Sequence, residues 1–190
     1  MTEATTNAAV REIAAAWLGR VAGASAIASA LASVAWLAGL APADGFPDRW
    51  ITLWNLLLVP AAAWLGYLLA RTNEPRLAAA AGLSALAGVV SCVLWATAWQ
   101  RGDLEAIWIG LSAAWWIVTG LLFLRRGARW LGWLTLVLGA FAGLDAFVTA
   151  VGNEGFLFLL SGPKLPLAWI WAFAAGVRLL VDPTLEPDTR

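Results

Sequence analysis

Asp145 is the residue of this sequence whose position most suggests chemistry, because its acid lies inside an apolar stretch that runs from Trp130 to Val151. It stands six residues before the end of that stretch, which is roughly 9 Å along a helix. A carboxylate at this depth could bind a proton, a cation or a polar ligand. It could equally be a structural group, hydrogen-bonded to Thr149 one turn away or to Asn55 of another stretch. The residues alone leave both interpretations open.

Four polar residues are candidates to accompany Asp145, because they lie toward the same end of the alternating apolar stretches. They are Asn55, Gln100, Glu105 and Thr149. Together with Asp145 they would form a polar cup, open on that side, that binds a solute or an ion. The alternative is that they are simply the polar ends and turns of apolar segments.

The inventory of reactive side chains is short. Histidine is absent and Cys92 is the single cysteine, so the commonest metal ligand, the usual proton shuttle and an intrachain disulfide are all missing. We therefore expect no metal, no cofactor and no enzymatic activity. The formal net charge is zero and the basic residues do not form one stripe, which argues against a nucleic-acid partner.

Composition indicates the class of protein. Hydrophobic residues make up 62% of the 190 residues and charged residues 13%, whereas soluble domains have about 45–50% and about 25%. Lipid offers the backbone no hydrogen-bond partner, so long apolar stretches must form closed helices. We predict an all-α bundle of six transmembrane helices in contact with the lipid bilayer. The predicted spans are residues 21–40, 50–70, 77–99, 104–124, 130–151 and 167–181.

Other segments are predicted to lie outside the spans. Residues 1–20 form a cytoplasmic or interfacial segment, and residues 182–190 a disordered cytoplasmic tail. Residues 156–160 are apolar but too few to cross a bilayer, and Ser161 to Pro166 interrupt them, so this piece should lie in the interface or dip in and return. Residues 40–44 resemble a signal cleavage site, but the preceding apolar core is longer than a signal peptide's, which favours retention of the first helix.

Basic residues are distributed unequally between the two sides on which the predicted connections alternate. Nine lie on the side of the termini and three on the other, so the positive-inside rule places both termini in the cytoplasm. Clusters of arginine at two of these turns are interpreted as topology determinants: Arg71, Arg76, Arg125, Arg126 and Arg129.

Small residues on two of the predicted helices favour close helix packing. Gly139 and Gly143 are spaced for contact on the fifth helix, and Ser25, Ser29 and Ser33 form a ladder on the first. Because the first helix has small residues on both faces, it is the predicted contact for another membrane protein or a second copy of the chain.

Tryptophan is abundant, with 14 residues. Most of them lie near the ends of the predicted spans, where an amphipathic indole prefers the level of the lipid headgroups. The sequence therefore predicts an aromatic belt of ten of them: Trp17, Trp50, Trp54, Trp95, Trp99, Trp108, Trp130, Trp133, Trp169 and Trp171.

Residues 115–139 carry a pattern in which Trp115-Trp116 precede Arg125-Arg126 and then Arg129 to Trp133. The pattern resembles the central signature of a large uncharacterised bacterial membrane protein family that carries a domain of unknown function. The resemblance covers the second half of the chain. It implies six or seven helices, a tryptophan-containing last helix and a multi-pass location in the bacterial cytoplasmic (inner) membrane. It transfers no catalytic or binding residue.

Two functions follow as alternatives. Short connections, small-residue faces and few polar groups within the spans favour a structural or interaction bundle, such as an accessory subunit. The other is a binder or translocator of a small solute, an ion or a proton, centred on Asp145. Transporters usually have several buried polar groups near the midplane, and this sequence shows one acid, off centre, so the first is preferred.

Overall fold

The computed structural model of the chain describes residues 3–38, 47–71, 74–98, 104–152 and 154–185. These ranges form six α-helices, each with a segment long and apolar enough to cross a membrane. The predicted class, an all-α bundle of six transmembrane helices, is confirmed. The helices are α1 (Glu3–Leu37), α2 (Pro47–Ala70), α3 (Pro75–Ala98), α4 (Glu105–Arg125), α5 (Arg129–Val151) and α6 (Glu154–Val181).

The first and last helices are longer than the predicted spans, whereas α2 to α5 differ from them by three residues or fewer at either end. α1 begins at Glu3, so the predicted N-terminal segment is continuous with the first span. α6 begins at Glu154 and continues through Pro163 and Pro166; the predicted interruption at residues 161–166 is wrong. Each proline removes one backbone donor, but an irregular loop would leave more peptide groups without partners in an apolar environment.

The six described helices form a closed ring in chain order. Each helix contacts the next, and α6 returns to contact α1. Gly23 and Gly176 face each other where the ring closes, since a Cβ built on either would lie 2.7 Å from the carbonyl oxygen of the other. A residue without a side chain is needed here for the two backbones to approach so closely.

The small residues of α1 are used inside the bundle. Ser25 and Ser29 donate hydrogen bonds to backbone carbonyls of α2, and Ser33 donates to the carbonyl of Ser29. Gly23 lies against α6 on another face of the helix. Because α2 and α6 occupy both small faces, the reason for preferring α1 as the contact for an outside protein no longer applies.

α5 packs closely on α4, although not at both predicted glycines. A Cβ built on Gly139 would lie 2.9 Å from the backbone nitrogen of Ile117, which makes this a tight crossing. Gly143 is looser, with 4.0 Å between a built Cβ and the Cβ of Ala113. The tight contact extends instead toward Gly132, where a built Cβ would lie 2.9 Å from the α4 backbone.

The tryptophans are divided between surface and core. Trp17, Trp130 and Trp133 are 67%, 63% and 62% exposed, as residues of an aromatic belt should be. Trp54, Trp108 and Trp171 are 9%, 1% and 0% exposed, so the belt prediction is wrong for these three. A residue's distance from the end of a span says nothing about whether its side chain turns toward the lipid or toward the other helices.

Arg126 connects three parts of the chain at one end of the bundle, beyond its predicted role in topology. Its guanidinium donates hydrogen bonds to the carbonyl oxygens of Leu68 at 2.9 Å, Arg71 at 3.2 Å and Leu185 at 3.3 Å. Leu185 is 4% exposed, so the first residues of the predicted disordered tail are packed. Residues 186–190 of that tail lie outside the described residues.

Candidate functional site

Asp145 of α5 forms a buried ion pair with Lys164 of α6. The ammonium group of Lys164 donates a hydrogen bond to Asp145 Oδ2. The side chain of Asp145 is 2% exposed and that of Lys164 is 12% exposed. A carboxylate this deeply buried needs a counter-charge, because an isolated ion in an apolar environment costs several kcal/mol. Lys164 was not among the predicted partners of Asp145.

The continuity of α6 brings Lys164 to Asp145. The candidate membrane span of α6 runs from Pro163 to Val181, so Lys164 lies inside it, next to its first residue. The prediction that residues 161–166, which include Lys164, form an interruption is therefore wrong at this site as well. Because Lys164 is the only lysine of the chain, its ammonium group is also unique among the side chains.

A cavity of about 110 Å³ lies beside the ion pair, in the half of the bundle away from the Arg126 turn. Described residues of α1, α2, α3, α4 and α6 form its wall, and α5 is connected to it through Asp145 and Lys164. The wall also contains several tryptophans and the buried thiol of Cys92. The polar residues of the wall are Ser29, Ser33, Asn55, Ser91, Ser112 and Lys164.

The serines of the wall donate their hydroxyl protons to backbone carbonyls. Ser29, Ser91 and Ser112 make these hydrogen bonds at 2.7, 2.8 and 2.7 Å. A hydroxyl that donates in this way keeps oxygen lone pairs available. The serines therefore offer hydrogen-bond acceptors to the cavity.

Trp115 and Trp116 contribute their rings to the wall. They are 2% and 8% exposed, and in the described structure each indole N–H is buried without a hydrogen-bond partner. Both rings pack against Trp171, with centroid distances of 5.3 and 6.0 Å, whereas Trp171 donates its own N–H to Thr135 Oγ1 at 2.8 Å. A buried donor without a partner costs roughly 1–3 kcal/mol. Because both N–H groups are enclosed by protein atoms, a ligand in the cavity would meet the rings and not these donors.

The predicted site residues are only partly brought together. Asn55 is buried and lines the cavity. Thr149 is outside the wall, and its buried hydroxyl has no hydrogen-bond partner among the described residues. Glu105 is also outside it, in the first turn of α4, where the helix dipole favours a carboxylate. Gln100 lies outside the described residues.

Sequence reasoning missed the cation and most of the wall. A signal for Lys164 was present, because an acid inside an apolar stretch needs an opposite charge and the chain has one lysine. Ser84 and Ser91, seven residues apart, both donate to α4 carbonyls, and their spacing could have indicated a polar seam. Trp115 and Trp116 gave no such signal, since the pairing of their N–H groups depends on tertiary packing.

The site has to be interpreted from this chain's own residues. Comparison with protein-family models, with curated proteins and with solved structures gives no match.

Proposed function

We propose that this protein binds a small polar solute in the cavity beside Lys164, within the apolar part of the bundle. The observation that carries the proposal is the wall itself, where a nearly buried ammonium, the side chain of Asn55 and several serine oxygens surround one space. Helix packing in lipid is served by small residues and paired polar groups, and it does not require an open space beside a buried charge. We propose binding without a chemical reaction.

The volume of the cavity limits the size of the solute. Benzene, with six heavy atoms, binds in a protein cavity of about 150 Å³, and a water molecule takes about 30 Å³. A space of about 110 Å³ therefore suits a solute of about four or five heavy atoms.

The polarity of the wall indicates a neutral solute that both donates and accepts hydrogen bonds. Lys164 would donate to a carbonyl oxygen, and the serine oxygens would accept from N–H groups. Asp145 already balances the charge of Lys164, so an ionic solute would add an uncompensated buried charge. Small amides of the size of urea or acetamide fit these requirements best.

We further propose that both termini face the cytoplasm, in the cytoplasmic membrane of a bacterium, so that the cavity occupies the outer half of the bundle. The support is the excess of arginine at the end of the bundle where Arg126 contacts α2 and the segment after α6.

Two sequence predictions stay predictions. The resemblance of residues 115–139 to a bacterial membrane family is one of them. The interaction bundle is the other, and its main support is weaker because the small faces of α1 are packed against α2 and α6.

The single lysine makes a direct binding test possible. Protein labelled with [13Cε]lysine and reconstituted in lipid nanodiscs should give one lysine side-chain resonance. Titration with acetamide or urea should shift this resonance in a saturable way, because the solute would occupy the space next to Lys164. Benzamide, which is too large for the cavity, should leave the resonance unchanged.

Ser91 and Ser84 provide a matched pair of variants for this test. Both are buried serines of α3 that donate to carbonyls of α4, at 2.8 and 3.2 Å, but of the two only Ser91 lines the cavity. Ser91→Ala should weaken binding about fivefold, the worth of one hydrogen bond, and Ser84→Ala should not change it. The proposal is wrong if no small solute gives a saturable shift, or if the two variants weaken binding equally.

A further inference from the structure

A second space lies at the opposite end of the bundle, between the start of α5 and the end of α6. It is a cleft of about 750 Å³ that shares no lining residue with the central cavity. Three arginines line it, Arg126, Arg129 and Arg178, and none of the described residues in its wall is acidic.

The positive charge of this cleft is only partly neutralised within the described structure. Arg126 donates to backbone carbonyls, which solvate its charge without cancelling it. Arg129 is exposed. Arg178 pairs with Asp182 at 3.0 Å, but its Nε is buried and has no hydrogen-bond partner in the described part of the chain. An anion in the cleft would meet the exposed parts of the Arg129 and Arg178 side chains, whose planar guanidinium groups suit phosphate.

The apolar side of the cleft distinguishes a lipid from a free anion. Phe173, Val177 and Val181 of α6 line it and are 50%, 40% and 76% exposed. They extend over nine residues, whose first and last members are roughly 12 Å apart along the helix, and Trp130 lies on the α5 side. Inorganic phosphate would leave this apolar surface uncovered, whereas an acyl chain attached to a phosphate would cover it.

We infer that this cleft binds an anionic phospholipid. The phosphate group lies against Arg129 and Arg178, and one acyl chain runs along Phe173 and Val177. This site is independent of the solute cavity, because the two spaces have no residue in common. The bilayer supplies this lipid at high local concentration. The site is therefore occupied continuously, and the lipid is a bound component of the bundle.

Lipid selectivity of the purified full-length protein tests this inference. The protein is equilibrated in detergent with equal amounts of phosphatidylglycerol and phosphatidylcholine, and bound lipids are counted by native mass spectrometry. We expect phosphatidylglycerol to be retained in preference. Arg129→Gln should lower its affinity about fivefold, the effect of one basic residue at a membrane surface, and adding Arg178→Gln should lower it by about a further fivefold.

Arg125→Gln is the matched control, because Arg125 belongs to the same turn, is exposed and does not line the cleft. It should change the affinity less than twofold. If Arg125→Gln weakens binding as much as Arg129→Gln, general surface charge explains the result and the inference is wrong. It is also wrong if millimolar inorganic phosphate displaces the lipid, since the cleft would then bind the free ion. The Lys164 resonance should stay unchanged in each of these variants, which shows that the bundle is intact and keeps this result separate from the solute test.

Discussion

Removing one member of the Asp145–Lys164 pair should destabilise the bundle, and the two single substitutions should differ in cost. Lys164→Met leaves a carboxylate that is 2% exposed and has lost its counter-charge, so the free energy of unfolding should fall by about 3–5 kcal/mol. Asp145→Leu leaves an ammonium group on a long stem that is already 12% exposed. That group can extend toward the interface, so the loss should be smaller, about 1–3 kcal/mol.

The double variant measures the contribution of the ion pair separately from the cost of leaving one ion without its partner. The combination of Asp145→Leu with Lys164→Met leaves no lone charge, because it places two apolar side chains where two ions were. Replacing a buried ion pair by apolar residues of similar volume is often neutral or stabilising. We therefore expect the double variant to be within about 1 kcal/mol of the original chain, which implies a coupling energy of at least about 3 kcal/mol between the two positions.

Unfolding in mixed micelles with increasing SDS, followed by circular dichroism, measures these free energies. Asp182→Asn is the matched control, because it breaks the more exposed Arg178–Asp182 pair, whose side chains are 40% and 24% exposed, and it should cost no more than about 0.5 kcal/mol. Additive losses in the double variant would show that Asp145 and Lys164 are not coupled. A larger loss for Asp145→Leu than for Lys164→Met would refute the reasoning from burial.

Three further predictions concern the ring, the arginine end and the cavity. Gly23→Val should lower the free energy of unfolding in SDS by about 1–3 kcal/mol through overpacking at the α1–α6 crossing. Gly82→Ala is the control, because a Cβ at Gly82 meets nothing within 4 Å, and it should change this free energy by less than about 0.5 kcal/mol. Equal effects of the two substitutions would contradict the packing argument. Arg126→Gln should remove the hydrogen bonds that hold the segment after α6 and make limited proteolysis near the C-terminus faster, while Arg125→Gln should not, and unchanged cleavage in both would argue against an anchoring role. Cys92 is buried in the cavity wall, so a saturating small amide should slow its alkylation by a small thiol reagent, measured by mass; an unchanged rate would mean that the solute binds elsewhere.

The spans of α2 to α5 were predictable because their ends coincide with features that lipid enforces. Residues 71–76 and 125–129 are short, charged turns between long apolar stretches, and a helix in lipid has to continue until such a turn is reached. The bounds of the first and last helices, α1 and α6, were harder to predict. Local sequence patterns predict a helix end at the polar start of α1 and at the prolines of α6. The helices continue because a backbone without hydrogen bonds costs more in an apolar environment.

The candidate site was predictable only in its most unusual member. Asp145 stands out because an acid in an apolar stretch is costly wherever the chain folds. The rest of the site depends on which helices are neighbours, and helix order in a ring is not encoded in spacing along the chain. Ser91, Trp116 and Lys164 meet at one cavity because α3, α4 and α6 surround the same space, and that arrangement is a property of the assembled bundle.

The ring that α6 closes against α1 also sets the order in which the protein can be completed during synthesis. Ribosomes add roughly 5–20 residues per second, so Lys164 follows Asp145, 19 positions earlier, by about 1–4 s. During that interval Asp145 lacks its partner Lys164, and α1 contacts α2 but still lacks its contact with α6. A ribosomal pause or a truncation within this window would expose an unfinished bundle to membrane quality control. The insertion of α6 is therefore the step after which the chain is protected from degradation.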